Sequence, residues 1–185
     1  MRLVLASQSP RRRELLTAAA IAFTVRVPCV EEVRSAGEDP WDYVRRLAVE
    51  KARAVELGPD EVILSADTVV VAGGEVLEKP RDAGDAVRML RLLSGRDHEV
   101  LTGICLRTAK SETVDAARSL VRFCELSDDE IAEYVASGEP FDKAGGYAIQ
   151  GLASKFVTRI EGEYSNVVGL PIALVYRHLR LAVLR

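Results

Sequence analysis

The segment Leu3-Val4-Leu5-Ala6-Ser7-Gln8-Ser9-Pro10-Arg11-Arg12-Arg13 joins a short apolar run to a run of helix formers. It predicts a buried strand over 2–6 and a helix over 10–20, with Ser9 as N-cap and Pro10 in the first turn. Backbone N–H groups at such a helix start, together with arginine side chains, favour phosphate binding. The turn therefore predicts a phosphate cradle, and the plainer alternative is a capped helix with solvated arginines.

The overall composition is that of a globular protein without a polyanion-binding surface. The 185 residues are 48% hydrophobic and carry a net charge of −3, which is compatible with one domain or two tightly joined lobes. The negative net charge and the aromatic content of 5% argue against an RNA-binding protein. We therefore expect no nucleic-acid partner. No apolar run is long enough for a membrane span, so we expect no membrane partner either.

Cysteine and histidine are sparse. Cys29, Cys105 and Cys124 form no CxxC pair, and His98 and His178 are far apart in the sequence. These spacings argue against a disulfide framework and against a zinc centre, and they are typical of a protein of the reducing cytoplasm.

The order of predicted elements indicates an α/β protein. Helices alternate with strands in the first half and hairpins follow, which favours a mixed sheet flanked by helices. The predicted strands cover 2–6, 23–27, 62–72, 76–77, 99–108, 113–125 and 153–160. The predicted helices cover 10–20, 40–57, 82–93, 128–137 and 171–184.

Two charged residues interrupt patterns that should be buried. Lys51 shares a helical face with apolar residues, so it either holds its ammonium toward an internal anion or extends its stem to solvent. Asp67 lies inside the apolar run 63–71, where an unpaired carboxylate is costly. A catalytic or metal-binding role for Asp67 is favoured over the capping of a turn.

Other segments add charge and flexible backbone. Glu31-Glu32 supplies carboxylates of the kind that Mg²⁺ or Mn²⁺ prefers, and Lys79 supplies a cation. The loop 142–151 combines three glycines with the amide of Gln150. Walker, Rossmann and Ser/His/Asp patterns are absent from the sequence. The set of groups favours phosphoryl chemistry.

Taken in order, these segments resemble the Maf family of nucleoside triphosphate pyrophosphatases, also called septum formation inhibitor proteins. The resemblance extends over essentially the whole chain. The segments that carry it are 5–12, Glu31-Glu32, Glu50-Lys51-Ala52, 66–70, Glu78-Lys79-Pro80, 142–151 and 166–171.

The resemblance implies a single catalytic domain over 1–185, with an elongated, bent, inosine triphosphatase-like mixed sheet and a cleft between two lobes. It also implies a cytoplasmic, metal-dependent homodimer that cleaves a nucleoside triphosphate between its α and β phosphates. Asp67 would be the proton acceptor, and Glu32, Lys51 and Lys79 would be charged residues of the cleft. Either Mg²⁺ or Mn²⁺ would be held by Glu32 and Asp67.

The resemblance also implies which residues bind the substrate. Ser7, Ser9, Arg11 and Arg12 would hold the triphosphate. The combination of Arg11, Thr68 and Gln150 resembles the branch of the family that acts on dTTP and UTP, and modified pyrimidine triphosphates are possible targets. Two alternatives stay open, namely the sister activity on 7-methyl-GTP and a regulator of septum formation that senses nucleotide without cleaving it.

Overall fold

A seven-stranded mixed sheet flanked by helices forms the framework of the chain in the computed structural model, which describes residues 1–183. The strands are β1 (Arg2–Ala6), β2 (Phe23–Val25), β3 (Glu61–Ala72), β4 (Glu75–Leu77), β5 (Asp97–Arg107), β6 (Glu112–Phe123) and β7 (Val157–Glu161). The helices are α1 (Pro10–Ala18), α2 (Pro40–Arg53), α3 (Ala83–Leu93), α4 (Asp128–Ala136), α5 (Tyr164–Val168) and α6 (Ile172–Val183). The strand order is β2-β1-β3-β5-β6-β7, and β4 pairs with β3.

The chain divides into two compact units. The first comprises Met1–Thr68, Thr102–Ala117 and the chain from Gly169 onward, and the second comprises Val69–Leu101 and Arg118–Val168. The strands β3, β5 and β6 each contribute residues to both units.

In the first unit, β1 runs parallel to both β2 and β3. Its near-continuous apolar sequence is explained by burial on both faces, as in parallel sheets generally. Leu3 and Leu5 belong to one apolar cluster with α1 and α6, whereas Val4 and Ala6 belong to another with α2. Gly103 of β5 allows α2 to approach closely, because an added Cβ would lie 2.3 Å from the carbonyl oxygen of Val44.

In the second unit, β4 folds back on β3 as an antiparallel hairpin and β7 pairs antiparallel with β6. Helix α4 begins with a complete capping box, in which the side chains of Ser127 and Glu130 each accept from the other residue's backbone N–H. An aromatic cluster fills the interior of this unit. Its members are His98, Phe123, Tyr134, Tyr147 and Phe156.

The predicted mixed α/β fold is confirmed, and the boundaries differ in places. Helix α1 stops at Ala18 because Ala20 takes a left-handed backbone conformation (φ 54°). Helix α2 ends at Arg53, and β2 ends at Val25. The proposed helix end at Leu184 lies outside the described residues.

The prediction of a strand from residue 153 is wrong, since Leu152–Phe156 is a 3₁₀ helix and β7 starts at Val157. The backbone N–H groups of Leu152 and Ala153 bond the carboxylate of Glu139 rather than a neighbouring strand. The short helix α5 lies in a segment for which no helix is predicted from the sequence. Within residues 1–183 no helix is both long and apolar enough to cross a membrane.

Candidate active site

The alternation of β3 directs its polar residues to opposite faces. Ser65 and Asp67 face α2, where the Ser65 hydroxyl donates to the carbonyl of Ala48. Thr68 is on the other face, with Ala66. One strand therefore presents a carboxylate and a hydroxyl from consecutive residues, Asp67 and Thr68, to two different surroundings.

Lys51 is buried, as its place on the apolar face of α2 predicts. Its Nζ lies 2.6 Å from Asp67 Oδ1 and 2.6 Å from Glu32 Oε1. The ammonium thus points to the buried carboxylate of Asp67 and the exposed carboxylate of Glu32, and the alternative of a stem reaching to solvent is wrong. Lys51 joins a loop, a helix and a strand at a single point.

Asp67 is only 6% exposed. Burial raises its pKa above the ordinary value, and the adjacent Lys51 ammonium and the Arg12 guanidinium oppose that rise. The carboxylate is therefore more basic than an exposed aspartate while its cationic neighbours favour its ionised form. These are the properties that a general base requires.

Arg12 is buried at the start of α1 and makes four hydrogen bonds to protein acceptors. Nε donates to the carbonyl of Gly169 at 2.8 Å, and Nη1 donates to the carbonyl of Ala66 at 2.7 Å. The hydroxyls of Ser7 and Thr68 each accept at 3.2 Å. Because these partners include both residues that flank Asp67, the N-terminal turn and the Asp67 strand segment lie side by side.

The serines of the turn differ from the prediction in one respect. Ser9 is the N-cap residue of α1, but its hydroxyl makes no capping hydrogen bond. Instead, the Ser9 backbone N–H donates to the Ser7 hydroxyl at 3.2 Å. This hydrogen bond between Ser9 and Ser7 fixes the turn. The Ser9 hydroxyl does not cap the helix. Arg11 follows as a half-buried residue.

Two further groups take part in the site, and neither belongs to a residue predicted as a site residue from the sequence. The carbonyl of Gly169, before α6, accepts from Arg12 and lies 3.4 Å from the Thr68 hydroxyl. The Thr102 hydroxyl lies 3.0 Å from that of Thr68. Thr102 is fully buried, and its place as a polar residue within the apolar sequence of β5 is the signal that could have identified it. A backbone carbonyl, by contrast, leaves no signal in a sequence.

Lys79 and Gln150 belong to the second unit. Both residues are exposed, Lys79 after β4 and Gln150 near the end of the glycine-rich loop. The two segments touch within this unit, because the N–H of Gly145 donates to the carbonyl of Glu78 at 3.1 Å.

The carboxylates of the site form a pair rather than a larger cluster. In residues 1–183 no group of three or more His, Cys, Asp or Glu side chains could hold a metal ion. Glu32 and Asp67 nevertheless meet through Lys51, each at 2.6 Å from its ammonium. A Mg²⁺ ion is usually bound by one or two protein carboxylates and seldom by a complete cage of protein ligands.

The chain is similar to known proteins over nearly its whole length. It matches the sequence model of one family, described as Maf-like protein, over residues 2–182. A Koribacter versatilis protein named dTTP/UTP pyrophosphatase is 55% identical over 183 residues, which cover 98% of this chain and 95% of that protein. A protein of the same name from Anaeromyxobacter dehalogenans is 57% identical over 185 residues, covering 98% and 94%.

Among solved structures, a nucleoside-triphosphatase described as a dITP/XTP pyrophosphatase from Mycobacterium abscessus aligns over 100% of this chain and 98% of its own. Its TM-score is 0.46 and its sequence identity is 17%. The match to the family model spans nearly every residue and includes all the segments that form the site around Asp67. This chain belongs to the Maf family.

Proposed function

We propose that this chain is a nucleoside triphosphate pyrophosphatase that hydrolyses dTTP and UTP to the monophosphate and pyrophosphate. The names of relatives that are 55–57% identical over almost the whole chain support this activity. The observation that carries it is the contact of Lys51 with both Glu32 and Asp67 at 2.6 Å, beside the Arg12 turn. No observation favours the 7-methyl-GTP activity or the non-catalytic regulator.

In the proposed reaction Asp67 accepts a proton from water as the water oxygen bonds to the α phosphorus. The bond between that phosphorus and the bridging oxygen breaks, and pyrophosphate leaves with the bonding electrons. The raised pKa of Asp67 suits it to hold the proton in transit, and Lys51 orients the carboxylate through their 2.6 Å contact.

We assign triphosphate binding to Ser7, Ser9 and Arg11 with the backbone N–H groups at the start of α1. Arg12 contributes positive charge, and its bonds to Ser7 and Thr68 hold those hydroxyls in place. Negative charge that develops on the departing pyrophosphate is neutralised by Lys51 and Lys79, the latter assigned from the family resemblance.

We infer that a divalent cation, Mg²⁺ or Mn²⁺, is required. Glu32 and Asp67 would hold it, since their carboxylates converge on one ammonium and such hard oxygen ligands suit either ion. A cation bound there supplies charge stabilisation for the phosphate oxygens and lowers the pKa of a bound water. Lys51 would then keep the two carboxylates together before substrate arrives.

We assign base selectivity to Gln150, Arg11 and Thr68 from the family resemblance alone. A glutamine amide both donates and accepts, so it matches the adjacent carbonyl and N–H of uracil and thymine. We further propose that the protein is a cytoplasmic homodimer that clears unwanted nucleotides, with a link to cell division. The three free cysteines, Cys29, Cys105 and Cys124, are compatible with that compartment.

A substrate panel tests the activity. Wild type with Mg²⁺ or Mn²⁺ should release pyrophosphate and monophosphate from dTTP and UTP, with far less from 7-methyl-GTP. Asp67→Asn keeps the side-chain shape but removes the base, so kcat should fall roughly 10²–10⁴-fold with an unchanged circular dichroism spectrum.

Asp115→Asn is the matched control, since Asp115 is also a strand aspartate whose carboxylate contacts basic side chains, namely Arg177 and His178. This control should retain full activity. Normal turnover by Asp67→Asn would refute the proposed reaction. Release of inorganic phosphate and a nucleoside diphosphate, in place of pyrophosphate and the monophosphate, would also refute it.

A further inference from the structure

The turn that carries Gln150 is closed by its own backbone. The N–H of Gly151 donates to the carbonyl of Ala148 at 3.0 Å, and the Gln150 side chain is exposed at this turn. A tight turn of this kind fixes its local shape but not its place in the molecule. What holds the turn in place must therefore come from the residues around it.

One pair of side chains holds the backbone on both sides of the turn. The Tyr134 hydroxyl accepts from the N–H of Ala148 at 3.2 Å and donates to Glu139 Oε1 at 2.8 Å. Glu139 Oε2 accepts from the N–H of Leu152 at 3.0 Å. The carboxylate thus caps the 3₁₀ helix that follows the turn, while the phenol holds the residue that begins it.

The pair has little room to shift. Tyr134 is 2% exposed and packs edge-on against Phe156, with ring centroids 5.5 Å apart. Position 151 must be glycine for the carboxylate to approach, since an added Cβ would lie 2.2 Å from Glu139 Oε2. Burial and the bond to Glu139 raise the pKa of Tyr134, so the hydroxyl stays protonated and remains a donor to Glu139.

We propose that Tyr134 and Glu139 form a positioning relay that sets where Gln150 presents its amide and thereby determines selectivity for uracil and thymine over cytosine. The inference rests on the proposed base-reading role of Gln150. Neither Tyr134 nor Glu139 needs to touch the substrate. Their effect is transmitted through the backbone of the turn between residues 148 and 152.

The physical reason is that the glutamine amide has both a hydrogen-bond donor and a hydrogen-bond acceptor. Thymine presents a carbonyl oxygen where cytosine presents an amino group. If the glutamine amide can flip by about 180°, it can pair with either base. Discrimination between thymine and cytosine therefore requires an amide that is held in one place and one orientation. Binding groups generally need to be held within about 0.5 Å of the productive geometry by the residues that support them.

The test measures the ratio of kcat/KM for dTTP to that for dCTP in the full chain with Mg²⁺. Tyr134→Phe removes only the hydroxyl, and Glu139→Gln replaces one of the two acceptor oxygens with a donor, so the Tyr134 hydroxyl and the Leu152 N–H can no longer both donate to separate oxygens. Each variant should lower the ratio roughly fivefold, the effect of one lost hydrogen bond, mainly through a higher KM for dTTP. Tyr176→Phe, which alters an exposed tyrosine, is the matched control and should keep the wild-type ratio.

A double variant separates the relay from a general loss of structure. Gln150→Ala alone should lower the ratio, and adding Tyr134→Phe should lower it no further. A further decrease in the double variant, or wild-type ratios in both Tyr134→Phe and Glu139→Gln, would overturn the relay. A wild-type ratio in Gln150→Ala would instead remove the proposed base-reading role, and the relay with it. Thermal melting curves identify any variant that fails to fold, and Glu139→Gln leaves the tyrosine core intact.

Discussion

Among single residues, Arg12 is the one whose environment differs most from what its sequence context suggests. It stands between Arg11 and Arg13 in a polar turn, yet it is only 9% exposed and its guanidinium joins α1 to β3 and to Gly169. Burial lowers its pKa and the Asp67 carboxylate opposes that change, so the group remains a cation. The planar guanidinium has donors that point in several fixed directions, so it can bond several acceptors at once. A lysine ammonium cannot reproduce this arrangement.

Arg12→Lys should therefore be strongly disruptive despite conserving charge. A lysine leaves two or more of the buried acceptors without partners, at a cost of about 3 kcal/mol in the free energy of unfolding. Urea denaturation measures this loss, and kcat/KM for dTTP should fall as Thr68 loses its hydrogen bond. Arg13→Lys, the same change at an exposed neighbour, should alter neither quantity. Equal stability of the two variants would contradict the structural role of Arg12.

At the scale of elements, the segment between β2 and α2 contains Glu32 but little regular structure. Arg46 of α2 secures it, because its guanidinium donates to both carboxylate oxygens of Glu38 at 2.7 Å and to the carbonyl of Val33 at 3.0 Å. The Arg46 guanidinium lowers the pKa of Glu38 to about 2. The helix thus positions Glu32 twice, directly through Lys51 and indirectly through Arg46.

Arg46→Met should loosen this segment while leaving α2 intact. Stability should fall by only about 1 kcal/mol, since the Arg46 side chain of this ion pair is partly exposed to solvent. If Glu32 holds the cation as proposed, the Mg²⁺ concentration for half-maximal activity should rise roughly tenfold, with kcat at saturating Mg²⁺ nearly unchanged. Arg45→Met, one residue away and paired with Asp42 instead, is the control. An unchanged Mg²⁺ requirement in Arg46→Met would contradict this role.

For the whole molecule, the response to acid depends on a buried histidine. His98 is 1% exposed, its Nε2 lies 2.8 Å from the Tyr147 hydroxyl, and its Nδ1 has no hydrogen-bond partner among the described residues. Burial lowers the pKa of His98 from 6.5 to about 4, and the charge of Asp97 only partly opposes this. Between these two values the unfolded chain binds a proton that the folded chain does not.

Stability should consequently decrease as the pH falls from 6.5 to 4, by about 3 kcal/mol from His98. Glu38, whose pKa is lowered from 4.5 to about 2, extends the loss to more acidic conditions. Asp67 acts in the opposite direction, since its raised pKa favours the folded state on acidification. Urea unfolding at several pH values measures the slope, and His98→Gln should flatten it between pH 6.5 and 4. The same slope in this variant would rule out His98 as the cause.

Periodicity and chemical type account for most of what could be predicted. The apolar run of β1, the glycine hairpin between β3 and β4, and the capping box of α4 are local features, and their elements form nearly as expected. Lys51 and Asp67 were identifiable because each breaks a buried pattern. A buried charge has to be compensated, and the two residues compensate each other.

By itself, the sequence determined most of the strands and helices and identified Lys51 and Asp67 as charges that had to be paired, because both follow from neighbours within a few residues. Tertiary structure alone decided the partners. Arg12 finds Gly169 at a separation of 157 residues, and Glu139 turns the predicted start of β7 into a 3₁₀ helix. Such contacts depend on acceptors that folding brings together, most of them backbone groups that are the same in every residue.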